Sequence, residues 1–135
     1  MLTATKPIKI DPIFAAIEAH RQATGERYII LKALCGMKDG APERGVTEDA
    51  HDRAAEVEIA ATKKLRKIRP TTIAGVMAVT AYFVEHRDRY PLWIGGEIEP
   101  KPGSIDYPEP RTFEDSMIRN LAAALARINS AKAAA

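Results

Sequence analysis

Pro70 limits how this chain can fold more than any other residue. Apolar side chains recur in helical steps on both sides of it. Uninterrupted, residues 47–89 would form one rod of roughly 65 Å. A proline inside such a pattern lacks the amide that the ladder needs, and it pushes the preceding residue, Arg69, out of helical backbone space. The sequence therefore predicts two helices joined by a sharp corner, Arg69-Pro-Thr-Thr. Thr71 or Thr72 is placed to cap the restart.

The first of these two helices begins at Thr47, with a stripe of Ala50, Ala54, Val57, Ala61, Leu65 and Ile68. The second covers about 72–89, with Ile73, Val76, Met77, Thr80, Phe83 and Val84 on its apolar face. Before them, Asp11-Pro12 is a strong helix start, a capping carboxylate followed by a proline suited to the first turn. Phe14, Ile17, Arg21, Thr24, Tyr28, Leu31 and Cys35 follow in steps of three and four, which predicts one helix over 12–37. Gly25 costs this helix about 1 kcal/mol relative to alanine, and a break there is the alternative. Residues 38–46 form a loop rich in Gly, Pro and Asp. Near the C-terminus, Thr112 caps a last helix. Its stripe is Met117, Ile118, Leu121, Leu125 and Ile128, and Asp115 sits in the capping-box position.

The remaining segments carry no periodicity. Residues 1–10 form an extended arm. Residues 91–110 hold five of the nine prolines and three of the eight glycines, which excludes a regular element. The predicted architecture is all-α and one domain over 1–135. It is an antiparallel helical bundle built on a long helical hairpin, with the second arm broken at Pro70 and a C-terminal helix packed back. Scarce aromatic residues, 6% of the chain, argue in the same direction against a β-sandwich.

Several chemistries can be weighed on spacing. The amides of a helix start at Thr71-Thr72, with Arg69 nearby, would suit a phosphate, but a P-loop's glycine-rich turn and lysine are missing. The same corner has the outline of a helix-turn-helix, and Lys63, Lys64, Arg66, Lys67 and Arg69 just before it could neutralise a nucleic-acid backbone. The helix in the recognition position, however, offers almost no groups that read base edges and is expected to be buried. The basic run also has a plainer cause. Its helix starts acidic, at Glu48, Asp49, Asp52, Glu56 and Glu58, and ends basic, which complements the dipole.

Glu48-x-x-His51 has the spacing of a carboxylate-bridged di-iron ligand pair, but only one copy is present where two are needed. Glu18 and His20, two apart, do not share a face. No metal or cofactor is expected. Cys35, the single cysteine, falls on the apolar stripe and is expected to be a buried, inert thiol. Of the three serines, Ser104, Ser116 and Ser130, none lies in a nucleophile elbow. No catalytic residue is assigned. Trp93, amid Tyr90, Leu92, Ile94 and Tyr107, is expected to pin the 91–110 loop to the bundle.

The segments DPIFAAIEAHR at 11–21, PTTIAGVMAVTAYFVEH at 70–86, the aromatic-proline loop and LAAALARI at 121–128 occur in that order. In this the chain resembles a group of small helical proteins of alphaproteobacteria, rhizobial relatives among them. The resemblance covers most of the chain and implies a bacterial cytoplasmic origin and a helical fold. The group has no assigned activity, so it implies no site residue. The segment 25–36 is less alanine-rich than the group's pattern.

Charge and composition bound the function further. A net charge of +2 gives no overall pull toward nucleic acid or anionic membrane. No window approaches the length and apolarity of a membrane span, and the opening residues lack a secretory core. With one cysteine no internal disulfide forms, which fits a reducing compartment and a cytoplasmic location. Long apolar stripes on a chain of this size suit a homodimer. The leading expectation is a non-enzymatic helical interaction module whose first partner is itself. The runner-up is a nucleic-acid accessory protein using the 63–69 segment. A third is a ligand-binding protein or enzyme with its site beneath the 91–110 loop.

Overall fold

The computed structural model describes residues 8–90 and 113–134. These contain four helices: α1 (Ile13–Gly36), α2 (Arg44–Lys67), α3 (Ile73–Arg89) and α4 (Phe113–Ala133). There is no strand among the described residues. The all-α bundle expected from the sequence is thus what forms. The expected loop at 91–110, its Trp93 and Tyr107, and the Thr112 cap lie outside the described residues, as does most of the N-terminal arm.

α1 and α2 form the hairpin, and their pairing is antiparallel. His20 meets Thr62, Thr24 meets Glu58, and Arg27 meets both Glu58 and His51. α1 runs without a break at Gly25. α3 then runs parallel to α1: Asp11 lies against Thr72, His20 against Tyr82, and Tyr28 against Tyr90. α4 lies across the corner between α2 and α3. Its Asn120 amide donates to the carbonyls of Arg66 and Ile68, at 3.2 and 3.0 Å. The core collects Ile13, Ala16, Ile17, Leu65, Val79, Tyr82 and Met117, with Ile68, Ala78, Phe83 and Leu121 packed around it.

The corner is held by one carboxylate. Asp11 is 3% exposed. Its Oδ1 accepts from the Ile13 amide at the start of α1, at 3.1 Å. Its Oδ2 accepts from the Thr71 amide, the Thr72 amide and the Thr72 hydroxyl, at 2.8, 2.9 and 2.8 Å. The Thr72 hydroxyl in turn accepts from the Gly75 amide at 2.9 Å and caps α3. The anion that the free amides of α3 could have taken from solvent is therefore supplied by the chain itself, 60 residues upstream. Burial works to raise the Asp11 pKa. The Ile13 amide, the Thr72 hydroxyl and the Thr71 and Thr72 amides outweigh it and hold the carboxyl below its ordinary value.

Three expectations are corrected. α2 starts at Arg44, not Thr47. Arg44 reaches Asp39, Glu48 and the Met37 carbonyl, which ties the turn to the first helical residues. Thr47 instead donates its hydroxyl to the Glu43 carbonyl inside the helix. The apolar stripes are also rotated. On α1, Ile17 and Thr24 are buried as expected, but Phe14, Tyr28 and Cys35 are exposed and His20, outside the expected stripe, is buried. On α2, Val57 is exposed and its neighbour Glu58 is buried. Finally, α3 is not buried all round. Val76, Val79, Tyr82 and His86 face inward, whereas Ile73, Met77 and Val84 are exposed.

Gly75 provides a test of the Asp11 latch. A Cβ there would overlap the Asp11 carboxylate and come within 2.9 Å of Ile13 Cγ2. Gly75→Ala is expected to destabilise by about 2–3 kcal/mol, despite alanine's better helix propensity. Gly25→Ala, with nothing within 4 Å of its Cβ, is expected to stabilise by up to about 1 kcal/mol. Urea unfolding of the two variants beside the unsubstituted protein checks both signs.

Candidate functional site

The inner faces of α1, α2 and α3 meet in a polar seam rather than a purely apolar one. At its centre is His20, 3% exposed. The Thr62 hydroxyl donates to the Glu58 carbonyl at 2.8 Å, so it accepts from His20 Nε2–H at 3.0 Å. That leaves His20 Nδ1 to accept from the Tyr82 hydroxyl, at 2.6 Å. This tautomer is assigned from the network of partners. Burial, with His86 alongside, lowers the His20 pKa to about 4. Burial also pushes the Tyr82 phenol well above its ordinary value, so it stays a donor. The Arg21 guanidinium covers the Tyr82 ring 4.9 Å from its centroid and is tethered by Glu18 and Glu85.

His86 closes the cluster from α3. Its ring centroid lies 5.3 Å from His20, 5.1 Å from Tyr90 and 6.0 Å from Tyr82. Its Nε2 is buried without a hydrogen-bond partner. Burial lowers its pKa, against the opposing pull of Glu58 and Glu85.

Two turns further along α1 lies an ion pair between a half-buried arginine and a buried glutamate. Arg27 reaches Glu58 at 2.6 Å, and the Thr24 hydroxyl donates to the other Glu58 oxygen at 3.2 Å. Arg27 Nε also approaches His51 Nε2 at 3.4 Å. Such a pair fixes register more dependably than it adds stability. Removing one partner typically costs about 3–5 kcal/mol, because the other charge is left buried.

The seam has the residue types of an acid–base site, but its groups are turned toward one another. His20, Tyr82 and His86 are all buried, and both His20 nitrogens are occupied. The arrangement can set helix register and hold protons away from solvent. The Glu48-x-x-His51 spacing, set aside above as a metal pair, serves other contacts. Glu48 goes to Arg44 and His51 turns to Arg27. No group of three or more His, Cys, Asp or Glu side chains suited to a metal occurs among the described residues. Cys35 is exposed near the end of α1, which corrects the buried thiol read from the stripe.

Of the basic candidates, Lys63, Lys64, Lys67 and Arg69 are exposed and Arg66 is half-buried. The structure adds two arginines that the sequence run did not include. Arg119 and Arg127 of α4 are exposed, and Arg127 lies against the Pro70 carbonyl at 3.5 Å. The histidine seam was also missed. Its signal lay in polar residues four apart, His20 with Thr24 and Glu58 with Thr62, on otherwise apolar faces.

No family model, curated protein or solved structure matches the chain. No helix among the described residues is long and apolar enough to cross a membrane.

The seam makes stability depend on pH. Both buried histidines have pKa values lowered by folding, so their contribution is full above about pH 6.5 and is lost as pH falls below it, for His20 down toward pH 4. His20 alone accounts for roughly 3 kcal/mol of loss by pH 4. Asp11, with its lowered pKa, adds a further loss only below the ordinary carboxylate range. Thermal melts between pH 7 and 4.5 should show the histidine window. In His86→Leu, which removes a buried nitrogen without a partner, the fall over that window should be shallower.

Proposed function

We propose that the chain is a non-enzymatic helical interaction module that works as a homodimer in a bacterial cytoplasm. The observation that carries this is the outward face of α3. Residues 73, 77, 80 and 84 repeat in steps of four and three, and Ile73, Met77 and Val84 among them are exposed. Met77 alone is 66% exposed. On α4, Ile118 and Leu125 are exposed two turns apart. Ile73 of α3 and Leu125 of α4 line one groove with Ala126, Ile128, Asn129 and Lys132, which brings apolar side chains of the two helices together at a polar rim.

A helix that is apolar on both sides is one that packs on both sides. A second copy is the commonest cover for such a surface, because a two-fold axis matches the patch to itself. The buried seam, in which both His20 nitrogens are bonded to neighbouring helices, supports a scaffold role rather than a catalytic one. The lone cysteine and the resemblance to alphaproteobacterial proteins support the location.

Sedimentation velocity on the full chain tests the proposal. A dimer is expected at micromolar concentrations, and Met77→Lys with Val84→Lys should return it to monomer with its helicity intact. A wild-type protein that stays monomeric up to about 100 μM would end the reading.

A further inference from the structure

We infer that the end of the bundle made by the last turns of α2, the corner at 68–72 and α4 is a docking surface for the phosphate backbone of duplex nucleic acid. The inference stands apart from self-association and rests on how charge is distributed over the folded chain. Of the 20 Lys and Arg, eight fall within 59–72 and 117–134; the acidic residues of the same two helices end at Glu58 on α2 and are Glu114 and Asp115 in the first turn of α4. The two segments are far apart in sequence. Asn120 and Arg127 bring them together at the carbonyls of Arg66, Ile68 and Pro70.

The positive end is not explained by ion pairing. Lys63, Lys67, Arg69, Arg119 and Arg127 are exposed, and none makes an ion pair among the described residues. The ion-paired arginines, Arg21, Arg27, Arg44 and Arg89, sit on α1, at the start of α2 and at the end of α3. The α2 dipole accounts for part of it, since Lys64, Arg66 and Lys67 lie in the last turn of that helix, but not for Arg119, which stands two turns into α4, far from that helix's own C-terminal carbonyls. A cluster of like charges repels itself, and a polyanion relieves that repulsion.

The occupant follows from what the surface can and cannot read. Lys63 and Lys67 are one turn apart, about 6 Å, close to the rise of two nucleotides along one strand, about 7 Å. Lysine and arginine suit phosphates. α3, the helix in the position of a recognition helix, exposes Ile73, Met77 and Val84, which cannot read base edges. Binding is therefore independent of sequence and carried by counterion release.

Fluorescence anisotropy of a labelled duplex of about 20 base pairs, titrated with the full chain, tests this. With about five phosphates neutralised, affinity should fall roughly 500-fold between 50 and 200 mM salt. Lys63→Gln/Lys67→Gln/Arg119→Gln, at three exposed positions without ion pairs among the described residues, should keep the helical circular dichroism. It should flatten the slope of log K against log salt by about 3. Lys38→Gln/Arg53→Gln, exposed and outside the patch, should leave binding as it was. Three results would overturn the inference: no binding at 50 mM salt, an unchanged slope in the triple variant, or binding to phosphatidylserine vesicles without binding to duplex.

Discussion

The carboxylate of Asp11 is the constraint on which the arrangement of helices depends. Two helix starts lie side by side, each with amides that lack partners of their own. One anionic side chain serves both, taking one donor from α1 and three from the start of α3. This sets the height of α3 against α1. Every contact further along the pair, from His20–Tyr82 to Tyr28–Tyr90, follows from that register. It also explains why Gly75 has no side chain: the carboxylate occupies the space.

Beyond the latch, the interface between the first three helices trades apolar area for specificity. Leu65, Ile17 and Val79 supply burial near the corner. Further along, His20, Thr62, Tyr82, Thr24, Arg27 and Glu58 fill the seam with directional contacts. Apolar side chains tolerate sliding past one another, whereas an arginine paired with a buried glutamate does not. The polar seam fixes how the helices face, and that facing turns Met77, Val84, Val57 and Ile59 outward.

The elements were legible because their boundaries are written in local chemistry. Pro70 ends α2, Thr72 caps α3 and Asp11-Pro12 opens α1, each where its residue type requires it. The faces were less legible. Counting apolar residues placed Phe14, Val57 and Met77 inward because that count gives no weight to a histidine or glutamate that finds its partner on another helix. His20 and Tyr82 are 62 residues apart, and no spacing within either helix announces the other. The start of α2 was placed late because Thr47 is a common capping residue, while the tie from Arg44 back to Met37 is visible only in three dimensions. The basic run at 63–69 was plain in the sequence, but its extension through Arg119 and Arg127 depended on where α4 lies.

The parallel course of α1 and α3 has a consequence for how the chain assembles. α1 and α2 are joined by a short turn and can meet early, with little loop entropy to overcome. α3 can dock only after α2 has carried the chain back along its full length. The latch then closes across 60 residues of sequence. Contacts of such separation form late in a folding reaction. The hairpin alone would present half a seam, with Glu58 and His20 facing water until Tyr82 and His86 arrive. A chain that ended before α3 would therefore hold only the α1–α2 half of the interface, with His20 lacking Tyr82 and His86.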